Sequence, residues 1–203
     1  PPHHASSAAS DVYKRQGMDS NLIFKSLGYL KPARGRMEVL SETKNKALVI
    51  IDYAHTPAAL KSALKSIQEI IGRERIITLF GCGGDRDKNK RKIMGEIANE
   101  YSDIVIVTDD NPRNEIPSNI RSEILSGCPS ATEIPNRDKA IKYAVSLLKK
   151  NDLLLIAGKG HETFQAVGIE TLPFDDYTVA KEAIKNIEKS GIINWSLYGQ
   201  KKI

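Results

Sequence analysis

Asp109-Asp110-Asn111-Pro112-Arg113 follows directly on the apolar run Ile104-Val105-Ile106-Val107-Thr108. A buried strand that ends in turn-forming polar residues delivers their side chains to the carboxyl edge of a sheet, where open α/β folds bind ligands. A guanidinium fork at that edge is the side chain best shaped to take a carboxylate in bidentate fashion. Asparagine adds an amide, and the intervening proline stiffens the turn that aims both. Three more apolar runs end alike: residues 47–51 lead into Asp52-Tyr53-Ala54-His55-Thr56-Pro57, residues 76–80 into Gly81-Cys82-Gly83-Gly84-Asp85-Arg86-Asp87, and residues 153–156 into Ala157-Gly158-Lys159-Gly160-His161-Glu162. A further run, residues 37–40, follows Gly35-Arg36. One sheet edge thus collects carboxylates, cations, a histidine and glycine turns that let a backbone approach a ligand.

Each of these turns also has a structural reading. Many glycine-rich turns bind nothing. The one at Gly81 is not a Walker loop, because Gly-x-x-x-x-Gly-Lys-Ser/Thr occurs nowhere in the chain. Arg86 is either a surface cation held between Asp85 and Asp87 or a ligand contact. Thr56 as N-cap with Pro57 in the first helical turn makes the chain reverse after Asp52, and brings a positive helix end to the edge. That favours nucleotide contact at His55 over a capping or packing role. Lys159 is either a phosphate contact or a solvated lysine, and His161 stays open in the same way. Leu153, Leu154, Leu155 and Phe164 read as core, and Tyr53 as a ring packed under its turn.

The elements that must position these turns alternate. Helices are expected at about 57–71, 88–100, 117–126, 137–149 and 176–189, between the apolar runs. Such alternation predicts an α/β fold with a doubly wound, mostly parallel sheet. Residues 163–167 and 170–173, separated by Gly168-Ile169, suggest a hairpin at one edge. No internal repeat is visible. Residues 1–17 open on the low-complexity Pro-Pro-His-His-Ala-Ser-Ser-Ala-Ala-Ser and read as a non-native or disordered leader. Residues 18–34 hold a short amphipathic segment, then Gly28 and Pro32, and read as the end of a preceding domain and the linker out of it. Residues 35–190 form the expected domain, and 191–203, with Trp195, form an unassigned tail.

Composition narrows the function classes. With 203 residues and 40% hydrophobic content, the chain can bury one ordinary core. The net charge of +5 suits anionic ligands. The cations are interleaved with acids and form no basic run with aromatics, which argues against nucleic acid and for solvated faces. Cys82 and Cys128 lie far apart with no metal-ligand spacing, so neither a disulfide nor a zinc site is expected, and reduced thiols fit a cytoplasmic protein. No apolar stretch approaches the roughly 20 residues that span a bilayer, and no secretory signal is visible.

Taken together, Gly35-Arg36-Met37-Glu38, Asp52 to Pro57, Phe80 to Asp87, Asp110-Asn111-Pro112-Arg113 and Ala157 to Glu162, in this order and spacing, resemble the C-terminal domain of the Mur ligases. The fourth motif is similar to that of the members that add meso-diaminopimelate. The resemblance runs from about Gly35 to about Ile184 and implies an ATP-dependent amide ligase of peptidoglycan synthesis. In such ligases a UDP-N-acetylmuramoyl (UDP-MurNAc) dipeptide carboxylate is phosphorylated and then attacked by the diaminopimelate amine. The resemblance assigns ATP contacts to Arg36, Asp52 and His55. It assigns meso-diaminopimelate contacts to Arg86, Asn111, Pro112, Arg113, Gly158 and Glu162, with Arg113 and Asn111 on the far carboxylate, and Glu162 and the Gly158 carbonyl on the far ammonium. No residue of this chain is expected to act as a catalytic nucleophile. The phosphate cradle, the magnesium ligands and a carbamylated lysine belong to the family's central domain, so this chain alone is expected to be inactive.

Two other classes compete. A lysine-adding Mur ligase or a folylpolyglutamate synthetase shares the fold but should lack Asn111-Pro112-Arg113 in this form. A non-catalytic nucleotide or amino-acid binding module accounts for the missing Walker loop without any reaction.

Overall fold

In the computed structural model, residues 33–43, 47–69 and 75–190 are described; the sequence expectations for residues 1–32 and 191–203 fall outside them. All elements below belong to a compact unit that starts at Arg34. The strands are β1 (Glu38–Glu42), β2 (Leu48–Asp52), β3 (Ile76–Phe80), β4 (Ile104–Val107), β5 (Thr132–Glu133), β6 (Leu153–Ala157), β7 (Phe164–Val167) and β8 (Glu170–Pro173). The helices are α1 (Pro57–Gln68), α2 (Asn89–Tyr101), α3 (Pro117–Leu125), α4 (Arg137–Ser146) and α5 (Asp176–Ser190).

Six strands form one sheet in the order β1-β2-β6-β3-β4-β5, parallel except for β1, which runs antiparallel to β2. β6 enters late in the chain yet lies in the middle, pairing with β2 on one side and β3 on the other. Because side chains alternate along a strand, each central strand feeds two cores. Ile50, Phe80, Val107 and Leu155 pack with Leu64 of α1, Met94 of α2 and Ile124 of α3. Ile51, Leu79, Ile106 and Ile156 pack with Ile141 of α4 and Ala180 of α5. Helices therefore cover both faces, which makes the near-continuous apolar strands necessary. No helix among the described residues is long and apolar enough to cross a membrane.

Local chemistry ends the helices where the chain must turn. Thr56 accepts from the Ala59 amide as N-cap of α1, with Pro57 at the first position. Asn136 accepts from Lys139 in the same way for α4. α4 stops at Ser146, short of the expected 149, because the Asp152 carboxylate draws the Lys149 amide at 2.7 Å into a turn.

Other differences from the sequence reading have plain causes. β5 was not foreseen; it is two exposed residues with no apolar signal. The β7–β8 hairpin is present, as a two-stranded sheet of its own. It is tied to the turn after β4: the Arg113 amide donates to the Ala166 carbonyl at 3.0 Å and the Gly168 amide to the Arg113 carbonyl at 2.7 Å. Phe164, expected in the core, lies on this hairpin and is exposed. Several cations expected on solvated faces are buried. Arg137 holds Asp176 with two bonds of 2.7 Å, Arg91 bridges Glu115 and Glu123, and Arg121 pairs with Asp109 and Glu133.

Candidate functional site

The four parallel strands β2, β6, β3 and β4 are neighbours in space, so their carboxyl-end turns meet. They enclose a cleft of about 580 Å³ lined by Tyr53 and His55 after β2, Gly83 and Arg86 after β3, Asp110, Asn111 and Arg113 after β4, and Gly158 and Glu162 after β6. This is the crevice that a doubly wound sheet offers ligands.

The turns after β3 and β4 are packed backbone to backbone. A Cβ on Gly84 would sit 1.9 Å from the Pro112 carbonyl oxygen, so only glycine allows the approach. The Gly84 amide donates to the Asn111 carbonyl at 2.9 Å, and the Gly84 carbonyl accepts Nη1 of Arg113 at 2.9 Å. The other face of this turn is held by Arg91, which donates to the Gly83 carbonyl and to Glu115; Glu115 in turn accepts the Asp85 amide at 2.7 Å. Hydrogen bonds from Arg91 hold the Glu115 carboxyl down at about 2. Arg113 itself has φ 50, an uncommon conformation for a side chain of this size, and the hairpin bonds fix it there.

Asn111 is 3% exposed and its amide is committed inside the protein. Nδ2 donates to Oε2 of Glu162 at 2.8 Å, while Oδ1 accepts Nζ of Lys159 and the Ala166 amide, both at 2.9 Å. Asn111 lines the cleft, and one of the two N–H donors of Nδ2 holds Glu162. Lys159 departs from both sequence readings: it is fully buried, neither solvated nor at a phosphate-binding surface, with Glu162 Oε2 at 3.2 Å. Asp110, which the sequence reading passed over, lines the cleft beside Gly158, and burial pushes its carboxyl upward. Two signals were available for these residues. Lys159 follows a fully buried strand within a glycine turn, where little solvent reaches; Asp110 is one of two adjacent aspartates, and alternation turns one of them inward.

The remaining expected residues divide. Gly158, with φ 111, lines the cleft and donates its amide to the Asp52 carbonyl at 3.1 Å. Arg86 is exposed at the rim and donates to the Asp85 carbonyl at 3.0 Å, while the Asp85 carboxylate is taken by Asn114 at 2.8 Å. Arg86 therefore meets the backbone of Asp85, while the Asp85 carboxylate is engaged by Asn114. Pro112 is buried and away from the lining, where it shapes the turn. His55 lines the cleft, exposed, with Nδ1 2.8 Å from the Tyr53 carbonyl. Arg36 and Asp52 lie next to the cleft rather than on it. The Arg36 guanidinium sits 5.5 Å from the centre of the Tyr53 ring. The Asp52 carboxylate accepts the Met37 and Ala54 amides at 2.7 and 2.8 Å, and burial outweighs those bonds and raises its pKa. Tyr53 packs between the His55 and His161 rings at 4.5 and 5.1 Å. Among the described residues, no group of three or more His, Cys, Asp or Glu side chains could hold a metal ion.

This arrangement can hold a small zwitterion at one sheet edge, with Arg113 for an anionic group and Glu162 and Asp110 for a cationic one. The Cys82 thiol, which lines the cleft, is pushed up to about 12 by burial.

Known proteins share this chain's pattern. The family described as Mur ligase, glutamate ligase domain, matches residues 35–160. The chain is 51% identical over 91% of its length to the UDP-N-acetylmuramoyl-L-alanyl-D-glutamate–2,6-diaminopimelate ligase of Agrobacterium fabrum, and 49% identical over 87% to the same-named protein of Rhizobium meliloti. It spans 37% and 36% of those two relatives, a little over a third of their length. A solved structure bearing the same enzyme name superposes with a TM-score of 0.71 at 34% identity, over 89% of this chain and 37% of that one. The UDP-N-acetylmuramate-alanine ligase of Thermotoga maritima shares the fold at 18% identity, with a TM-score of 0.68 over 94% of this chain and 39% of that one. With the family match spanning well over half of its residues and the cleft built from the matched turns, the chain belongs to the Mur ligase family and carries its glutamate ligase domain.

Proposed function

We propose that this chain is the C-terminal, amino-acid-binding and ATP-covering domain of an ATP-dependent ligase that adds meso-diaminopimelate to UDP-MurNAc-L-Ala-D-Glu in the cytoplasm. The observation that carries this reading is the turn after β4. Diaminopimelate differs from lysine chiefly by a second carboxylate at its far end, and Arg113 presents a guanidinium to the cleft that also holds Glu162 and Gly158. With lysine bound, that guanidinium is desolvated without an anionic partner. Sites built around such a polar group reject the analogue lacking it by roughly 10⁴ to 10⁵.

In this reading Arg113 takes the far carboxylate and Glu162, held by Asn111, takes the far ammonium together with the Gly158 carbonyl. Arg86 at the rim meets the near end, whose amine attacks an acyl phosphate formed elsewhere. Arg36, Asp52 and His55 belong to the ATP side, with Asp52 set to accept from a ribose hydroxyl. The domain then contributes orientation and exclusion of water rather than a reacting group. Phosphoryl transfer needs a phosphate cradle and a metal, so the chain by itself binds without turning over.

Calorimetry of the chain with meso-diaminopimelate and L-lysine, repeated with Arg113→Ala, tests this. Diaminopimelate should bind more tightly, and the preference should vanish in the variant. Equal binding of the two ligands by the unmutated chain would remove the diaminopimelate assignment and leave the lysine-adding alternative.

A further inference from the structure

Behind the cleft wall lies a charge that the family resemblance does not use. Lys159 has no exposed surface and does not line the cleft, yet its Nζ touches Asn111 Oδ1 at 2.9 Å and Glu162 Oε2 at 3.2 Å, and lies 3.9 Å from Asp110 Oδ1. It also stands 5.7 Å from the centre of the Phe164 ring. Two donors on one Asn111 atom mark that atom as the oxygen, which aims Nδ2 at Glu162. A buried ammonium is costly to keep unless its partners are placed for it.

On the turns after β4 and β6 the charges that line the cleft are Asp110, Arg113 and Glu162; Arg86, Asp87 and Lys90 line it from the side of the turn after β3. Arg137 and Asp176 also act on Asp110, but they are paired with each other in a buried bidentate bridge and cancel. Lys159 supplies the second cation, directly behind the two carboxylates. With it the end of the cleft built by these two turns is balanced; without it that end is anionic by one charge. A balanced pocket takes an end group carrying one ammonium and one carboxylate. An anionic pocket favours a lone ammonium and repels a carboxylate.

We propose that Lys159 is a specificity-setting positioning residue, the cation that cancels the repulsion of Asp110 and Glu162 toward an incoming carboxylate while pinning Glu162 through Asn111. The proposal rests on reading the cleft as an amino-acid site, and it deepens that reading. Replacing Lys159 by Met keeps the apolar stem and removes only the charge. The loss should therefore be selective: affinity for the zwitterionic end falls and affinity for the lone ammonium does not.

The test is a ¹H–¹⁵N NMR titration of the whole chain with meso-diaminopimelate and with L-lysine, for the parent and for Lys159→Met. The expected result is a diaminopimelate dissociation constant raised about tenfold or more, with that of lysine unchanged or lowered. Equal weakening of both ligands marks an ordinary structural role and overturns the proposal, as does parent-like selectivity in the variant. No response of the parent to diaminopimelate removes the reading of the cleft, and the proposal with it. Should Lys159→Met give no folded spectrum, Lys159→Gln removes the charge and keeps a donor for the Asn111 oxygen. The same selective loss of diaminopimelate affinity is expected of it, and parent-like selectivity overturns the proposal.

Discussion

The side-chain amide of Asn111 donates to Oε2 of Glu162 at 2.8 Å, joining residues 51 positions apart. The turn after β4 and the turn after β6 are therefore one binding wall. Whatever moves one carboxylate oxygen of Glu162 also moves the loop that carries Arg113. Asn111→Leu should accordingly abolish selectivity between diaminopimelate and lysine, and the same pair of calorimetric titrations reads this out.

Two adjacent glycines should fail in different ways. A Cβ on Gly84 meets the Pro112 backbone oxygen at 1.9 Å, whereas one on Gly83 meets the tip of the Arg113 side chain at 2.9 Å. Backbone cannot yield cheaply and a guanidinium can. Gly84→Ala should cost about 2 kcal/mol or more of folding stability, measured by urea unfolding. Gly83→Ala should leave the unfolding midpoint nearly unchanged and weaken diaminopimelate binding by displacing Arg113.

The hairpin acts on the site through the backbone. Gly168 has φ 58, and its amide donates to the Arg113 carbonyl, so Gly168→Val strains the turn that holds Arg113 in place. A β-branched residue in that conformation costs about 1–3 kcal/mol. The Arg113 amide, which donates to Ala166, should exchange with deuterium faster in this variant. Diaminopimelate affinity should fall with it, although residue 168 lies outside the cleft. An unaltered exchange rate would detach the hairpin from the site.

Acid should loosen the clamp behind the glycine turn. The Glu115 carboxyl is lowered from 4.5 to about 2 by its bonds to Arg91. A depressed carboxyl contributes stability that is fully present above its unfolded value and lost as pH falls through its folded one. The contribution therefore persists above about 4.5 and disappears on the way down to about 2. Glu115→Gln should lower Tm at neutral pH and flatten the dependence of Tm on pH across that window. A variant whose Tm falls with acid as steeply as the parent's would place the acid sensitivity elsewhere.

The buried Arg137–Asp176 bridge makes a stability prediction independent of ligands. Both side chains have no exposed surface, and the bond is bidentate. Arg137→Met leaves a buried carboxylate unpaired, at a cost of about 3–5 kcal/mol. The double variant Arg137→Met/Asp176→Leu should recover most of that loss in chemical unfolding.

The sheet and its site edge were legible because each main strand is a short apolar run ending in a chemically distinctive turn. β6, for example, shows five fully buried residues directly before Gly158. The helices were legible from caps such as Thr56-Pro57. What could not be read were charges whose partners lie far away in sequence. Arg137 finds Asp176 39 residues on, and Lys159 finds Asn111 48 residues back. Periodicity marks such cations as surface, and only the tertiary arrangement supplies the acceptors that let them be buried. Phe164 shows the reverse error: an aromatic residue beside a buried strand reads as core, but a two-stranded ribbon has no second layer to cover it.

The placement of β6 also governs when this domain can come into being. Residues 48–133 hold β2 to β5, but β2 and β3 are not sheet partners and are joined only by residues 153–157, which pair with both. During synthesis the two halves of the sheet must wait, each with an open edge, for a strand made late in the chain. Such non-local closure is intrinsically slow. The ligand cleft is accordingly among the last features to form, and a nascent chain stopped short of residue 153 exposes two unpaired strand edges to other molecules.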